Sequence, residues 1–142
     1  MPKQFVIFDV LNETYAIDSD NVLSIERILP VTRIPYAHDF VAGVMNLRGD
    51  IIPVVDLHKR LNVEQIDDTE ASRILVLKYK DYVIGIKVDR VSNVKYFDEE
   101  EIEDFDKVSL EDKSQYFDYV IYDGDIMVLI PNIPKLLDIP EE

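Results

Sequence analysis

The stretch Phe40-Val-Ala-Gly-Val-Met-Asn-Leu-Arg-Gly-Asp-Ile-Ile-Pro-Val-Val-Asp-Leu57 decides how the chain is read. Val41, Ala42, Val44 and Met45 form one apolar segment, Ile51, Ile52, Val54 and Val55 form another, and Asn46-Leu47-Arg48-Gly49-Asp50 lies between them. A glycine beside an aspartate between two short β-prone runs is a hairpin signal, because glycine accepts the positive φ that tight two-strand connections require. The turn projects Arg48 and Asp50 off the strands. A guanidinium fixed at such a tip can make bidentate contacts with carboxylates or backbone carbonyls of a partner.

Upstream, Phe5-Val-Ile-Phe8 is continuously apolar and reads as a strand covered on both faces. Asn12-Glu13 reads as a turn, Tyr15-Ala-Ile17 as a returning strand, and Asp18-Ser-Asp-Asn21 as a turn or one-turn helix start rich in side-chain oxygens. Val22 to Leu29 is mostly extended. Pro30 and Pro35 keep Val31-Thr-Arg-Ile34 extended as well, since each disfavours helix at the residue before it. Downstream, Asp56 caps a short helix that places Leu57 and Leu61 on one face, and residues 62–72 form a polar loop. Three further strands follow at Ile74–Leu77, Val83–Val88 and Val91–Phe97. A second hairpin turns at Asp123-Gly124-Asp125 and runs on into Ile126–Ile130, and Pro134–Asp138 reads as a closing helical turn. Pro53 and Pro131 cannot donate to a ladder and belong at edges or bulges.

The two halves repeat each other. Phe5, Ile7, Ala16, Ile17, Asp20, Val22 and Ile25 correspond at one offset to Ile74, Val76, Gly85, Ile86, Asp89, Val91 and Val94. Gly49-Asp50-Ile51 and Leu61 correspond to Gly124-Asp125-Ile126 and Leu136 at an offset larger by six, which the acidic segment 98–106 absorbs. About five short strands per half, spaced roughly 8–12 residues apart, point to an all-β chain of two small barrels whose closure removes sticky edges. A cleft between two such lobes is a natural binding site.

With 142 residues and 47% apolar content, the chain holds a real core as a single unit of two lobes. It has no cysteine, which removes disulfides and thiolate chemistry. No apolar run approaches the ~20 residues that span a bilayer, and the N-terminus lacks a signal-peptide core, so the reading is of a cytoplasmic protein without membrane insertion. Fifteen Lys and Arg against 29 Asp and Glu give a net charge of −14, a field that repels nucleic-acid phosphates and anionic lipid. Asp98–Asp106 carries seven acids in nine residues and reads as a solvated segment pinned by Ile102 and Phe105. No phosphate-cradling loop, nucleophile elbow or metal-ligand spacing is present. His38 and His58 read as surface or loop-anchoring residues. The alternative from another class is a small acidic enzyme or cation-binding barrel using carboxylates and His58, the conceivable metal site being His38 and His58 completed by Asp39 or Asp56.

Gly43-Val-Met-Asn-Leu-Arg-Gly-Asp-Ile-Ile-Pro-Val-Val-Asp-Leu57, Val31-Thr-Arg-Ile-Pro35, Val83-Ile-Gly-Ile-Lys-Val-Asp-Arg-Val91 and Glu13-Thr-Tyr-Ala-Ile-Asp18 together resemble the CheW family, adaptors that join bacterial chemoreceptors to the histidine kinase CheA. The resemblance implies two five-stranded SH3-like barrel subdomains, about 8–72 and 73–140, with the first strand, 3–8, completing the second. It implies a non-catalytic scaffold without a cofactor, recruited to membrane receptor arrays by its partners. Asn46, Arg48 and Gly49 match the segment that binds the receptor's helical tip, with Arg33 as a second polar contact and Ile28, Val31 and Ile34 as aliphatic ones. The regulatory domain of CheA would meet the barrel ends, for which Ile74, Val88 and Val91 are the candidates. The chain departs from the family at Asp118 and at Ile130-Pro131-Asn132, in the second-lobe hairpin.

Overall fold

A computed structural model of the chain describes residues 2–105 and 115–140. Its elements are β1 (Lys3–Val10), β2 (Glu13–Asp18), β3 (Val22–Arg27), β4 (Val41–Leu47), β5 (Asp50–Asp56), α1 (Leu57–Arg60), β6 (Arg73–Tyr79), β7 (Tyr82–Val88), β8 (Arg90–Phe97), β9 (Ile102–Asp104), β10 (Phe117–Asp123), β11 (Ile126–Pro131) and α2 (Ile133–Leu137). The strands form two sheets, ordered β8-β1-β2-β11-β10-β9 and β3-β6-β7-β5-β4. The molecule is all-β with two lobes and short helical turns, as its turn spacing predicts.

The sheet order corrects the lobe boundaries. β1 and β2, the opening hairpin of the first half, lie with β8 to β11, whereas β6 and β7, the opening hairpin of the second half, lie with β3 to β5. A cut near residue 72 therefore does not separate the lobes. Each lobe takes a hairpin from the other half, and each foreign hairpin joins by a short parallel ladder, Thr14–Val128 in one sheet and Val54–Gly85 in the other. Pro53 and Pro131 lie in interior strands rather than at edges, although Pro131 flanks the bulge of β10 between Phe117 and Tyr119, as read from the sequence. They are tolerated because those parallel ladders pair only Val128–Leu129 and Val54–Asp56, leaving both prolines outside.

Alternation explains the continuously apolar strands. Phe5 and Ile7 point into one barrel with Ala16, Ile121 and Val128, whereas Val6 and Phe8 point into a core shared by both lobes. Ile74 and Val76 likewise enter the other barrel with Met45, Ile52 and Val54, while Leu75 and Leu77 join the shared core. Tyr15 sits between Phe8 and Phe117 in that core at 5.5 and 5.6 Å between ring centroids, and burial pushes its hydroxyl far above the usual tyrosine range. Phe105 is buried at the shared core and Ile102 packs on one barrel, so both anchor the acidic run, as expected, through a 3-10 turn at Glu99–Glu101 and the edge strand β9. Asp106, the last residue of that run, lies outside the described residues.

Strand β4 is an edge, and the linker after β3 closes it. Thr32 and Val44 exchange two backbone hydrogen bonds of 2.8 Å. This closure needs Gly43, whose φ is +151° and where a Cβ would stand 2.1 Å from the Thr32 carbonyl oxygen. Gly43→Ala is expected to lower stability by about 2–4 kcal/mol in urea unfolding, since neither backbone can yield cheaply. Gly49→Ala, with φ at +93° and nothing within 4 Å, should cost only about 1 kcal/mol. Equal costs would mean that the linker does not hold β4.

Candidate functional site

The β4–β5 hairpin joins Leu47 to Asp50 through Arg48 and Gly49 alone, and both turn residues have positive φ, 51° and 93°. Two-residue turns of this kind match the right-handed strand twist, which is why the second position is glycine. Arg48 accepts the cost of a left-handed conformation because the turn is braced: the Asn46 side-chain oxygen receives the Gly49 N–H at 3.0 Å. Asn46 thus shapes the tip as well as facing solvent.

Arg48 is the exposed member of an ion pair that sequence reasoning missed. Its Nη2 donates to Glu26 Oε2 at 3.0 Å, with the arginine side chain 70% exposed and the glutamate 18%. Glu26 stands in register with Ile74, so it lies on the barrel-interior face of β3, at the mouth that the turn overhangs. The alternation of Ser24 and Glu26 with exposed Leu23 and Ile25 carried this signal, but only the fold places Glu26 opposite the turn. Hydrogen bonds from Arg48 and then Ser24 hold the Glu26 carboxyl below the usual glutamate range.

The other predicted contacts separate into three places. Ile28 and Val31 are half-buried and pack on the barrel core of Met45, Leu47 and Val54, so their main role is to seat the linker. Arg33 and Ile34 are exposed and line a different recess, of about 750 Å³, together with Tyr36, Val41, Lys59, Asn62 and others; Arg48, at the far end of β4, does not line it. Ile74 and Val88 are buried to within 1% in the cores, which takes them out of reach of a kinase. Their apolar neighbours on both strand faces are the reason. Val91 is half-buried on the edge strand β8, beside exposed Val94 and Tyr96.

The histidines also separate. His38 is exposed, stacks on Phe40 at 5.0 Å and pairs with Asp138 at 3.3 Å. His58 is not a surface residue: it is 2% exposed, with Nε2 3.0 Å from Asp89 and Nδ1 3.4 Å from Asp56 but without hydrogen-bond geometry. Asp89 also accepts the Leu11 N–H at 2.6 Å, so His58 ties α1 to the turn of the β1–β2 hairpin. Among the described residues, no group of three or more His, Asp or Glu is placed to hold a metal ion. Nor is any described helix long and apolar enough to cross a membrane.

The site is thus a braced cationic turn beside the barrel mouth, with the linker sealed against β4. The model of the CheW-like domain matches residues 4–141. The chain belongs to the CheW-like family. It is 34% identical to the chemotaxis protein CheW of Klebsiella aerogenes over 98% of this chain and 84% of that protein. It is 39% identical to CheW of Bacillus subtilis over 71% of this chain, a match that spans 65% of that protein's length. The crystal structure of the scaffolding protein TtCheW from Thermoanaerobacter tengcongensis superposes with a TM-score of 0.89 at 31% identity, covering 100% of this chain and 97% of that one. TtCheW is named a scaffolding protein, and the two relatives are named chemotaxis proteins.

The sign of the Glu26 shift fixes a pH dependence. A carboxyl lowered in the folded state stabilises fully above the unfolded glutamate value, and that contribution is lost as pH falls through the lowered folded value. In Arg48→Ala, the Glu26 carboxyl resonance should therefore titrate nearer the ordinary glutamate range in ¹³C NMR. The stability difference between the native chain and Arg48→Ala should also shrink as the solution is acidified through the native Glu26 transition. A Glu26 titration identical in both proteins would show that the pair does not form in solution.

Proposed function

We propose that this chain couples chemoreceptors to the histidine kinase CheA, with the β4–β5 tip as its receptor contact. The observation that carries the reading is Arg48, a guanidinium held in place from below and 70% exposed above. Only one of its donors is engaged by Glu26, so others remain for acceptors on a receptor helix. Ile51, 62% exposed and opposite Asn46 on the outer face of the hairpin, supplies apolar contact beside it. This combination suits an amphipathic helix lying across a surface. Arg33 and Ile34 would serve a partner segment that reaches the separate recess near α1. The kinase contact is assigned to the exposed Val94 and Tyr96 of β8, beside half-buried Val91, in place of Ile74 and Val88. The protein then contributes geometry: it holds two partners in fixed relation and converts nothing.

Titrating a soluble receptor cytoplasmic fragment into the native chain and into Arg48→Ala by calorimetry tests this directly. A loss of about ten-fold in affinity is expected for removing a charged anchor at an interface. CheA binding, measured separately, should be unchanged by Arg48→Ala and weakened by Val94→Lys. Unchanged receptor affinity in Arg48→Ala would remove the tip from the contact.

A further inference from the structure

The recess of about 750 Å³ beside α1 lies apart from the β4–β5 tip, and its polar lining is dominated by hydrogen-bond donors. The linker contributes Arg33, while α1 and the residues after it contribute Lys59, Asn62 and Gln65. All four are exposed. Acids outnumber bases 29 to 15 in the chain, and Lys3, Arg48, Lys87, Arg90, Lys95 and Lys135 each pair with one. Arg33 and Lys59 do not, and among the described residues the side-chain amides of Asn62 and Gln65 make no hydrogen bond with the protein. Asp39 is the single carboxylate on the lining. In so acidic a chain, two cations left unpaired around one cavity mark a place where negative charge is favoured.

Between these donors the walls are apolar. Ile34, Val41 and Val63 face the same space, and Tyr36, in a left-handed conformation at φ 65°, stands fully exposed at the rim. The floor is His58, 2% exposed, whose Nε2 is engaged by Asp89 at 3.0 Å. Its Nδ1 is the one buried side-chain nitrogen or oxygen without a hydrogen-bond partner among the described residues. A buried polar atom in that condition costs free energy that a guest hydrogen-bonding to it would recover. Apolar walls with a few convergent polar groups, in a space of roughly 300–1,000 Å³, are the usual form of a small-molecule site.

We propose that this recess binds a small organic anion, a phosphate or carboxylate carried on an apolar or aromatic body. The planar fork of Arg33 suits the bidentate geometry that both anions share, Lys59 adds a point charge, and the amides supply neutral donors. The aliphatic walls and Tyr36 hold the body. The site is independent of the receptor tip, since Arg48 does not line it. A partner segment that used Arg33 and Ile34 would displace the ligand.

The test titrates the native chain with phenyl phosphate and with benzoate while ¹H–¹⁵N spectra are recorded. Phenol supplies the same body without the charge, and inorganic phosphate the charge without the body. At least one of the two organic anions should shift resonances of residues 33–39 and 58–65, the His58 ring included, with a Kd of about 1 mM or below. Phenol should leave them in place, and inorganic phosphate should bind about ten-fold more weakly than phenyl phosphate. Arg33→Gln combined with Lys59→Gln removes two exposed charges, so its spectrum away from the recess should match that of the native chain, while anion affinity falls about ten-fold. Arg48→Ala should bind the anions as the native chain does. The inference is overturned if neither organic anion moves the recess, if phenol moves it equally, or if the double variant binds undiminished. Inorganic phosphate binding as tightly as phenyl phosphate would mean an adventitious ion only, and would overturn it too.

Discussion

The central strands of this molecule have no polar face, and the rest of the architecture answers that constraint. In β1 and β6, alternate side chains enter a barrel and the residues between them enter the shared core, so each strand must be covered on both sides. A single small barrel covers only one. Exchanging opening hairpins between halves supplies the second cover, because each foreign hairpin brings its own apolar pair of faces to the junction. Neither half can then bury its strands alone, and the two lobes form one interdependent structure rather than two domains joined by a linker.

Particular residues made much of this legible. Phe5-Val-Ile-Phe8 and Ile74-Leu-Val-Leu77 announced doubly covered strands by their unbroken apolar character, and their constant spacing announced the repeat. Asn46-Leu-Arg-Gly49 announced the hairpin, and Asp56 and Asn132 cap the two short helices they precede. What could not be read was pairing across the repeat. Periodicity tells which way a side chain faces within its own strand, but β2 and β11 are adjacent only because of a parallel ladder of two residue pairs, for which no local signal exists. The lobe boundaries failed to emerge for that reason.

The same blindness covered the ties between lobes. Arg60 reads as an ordinary charged residue closing α1, yet its guanidinium lies over the rings of Phe40 and Tyr116 at 4.2 and 4.6 Å and donates to the carbonyls of Leu136 and Lys135. It therefore caps the last turn of α2 while filling an aromatic slot, a use for which a planar, delocalised cation is better suited than an ammonium. His58 does comparable work on the other side of α1, through Asp89 to the Leu11 amide. These polar ties brace the junction that the apolar core fills.

Electrostatics constrain how such a scaffold is approached. At a net charge of −14, an anionic partner group is repelled at long range, and screening confines any local attraction by one arginine to roughly 8 Å at physiological ionic strength. In the proposed receptor contact Arg48 would therefore act after encounter, by geometry, because it cannot steer partners from a distance. The exposed apolar surface beside it, Ile51 above all, would then have to supply the contact that brings an acceptor within its reach. Two partner states that present the same apolar face but place that acceptor differently would be distinguished by this tip, and only such differential contact lets a passive adaptor transmit a signal.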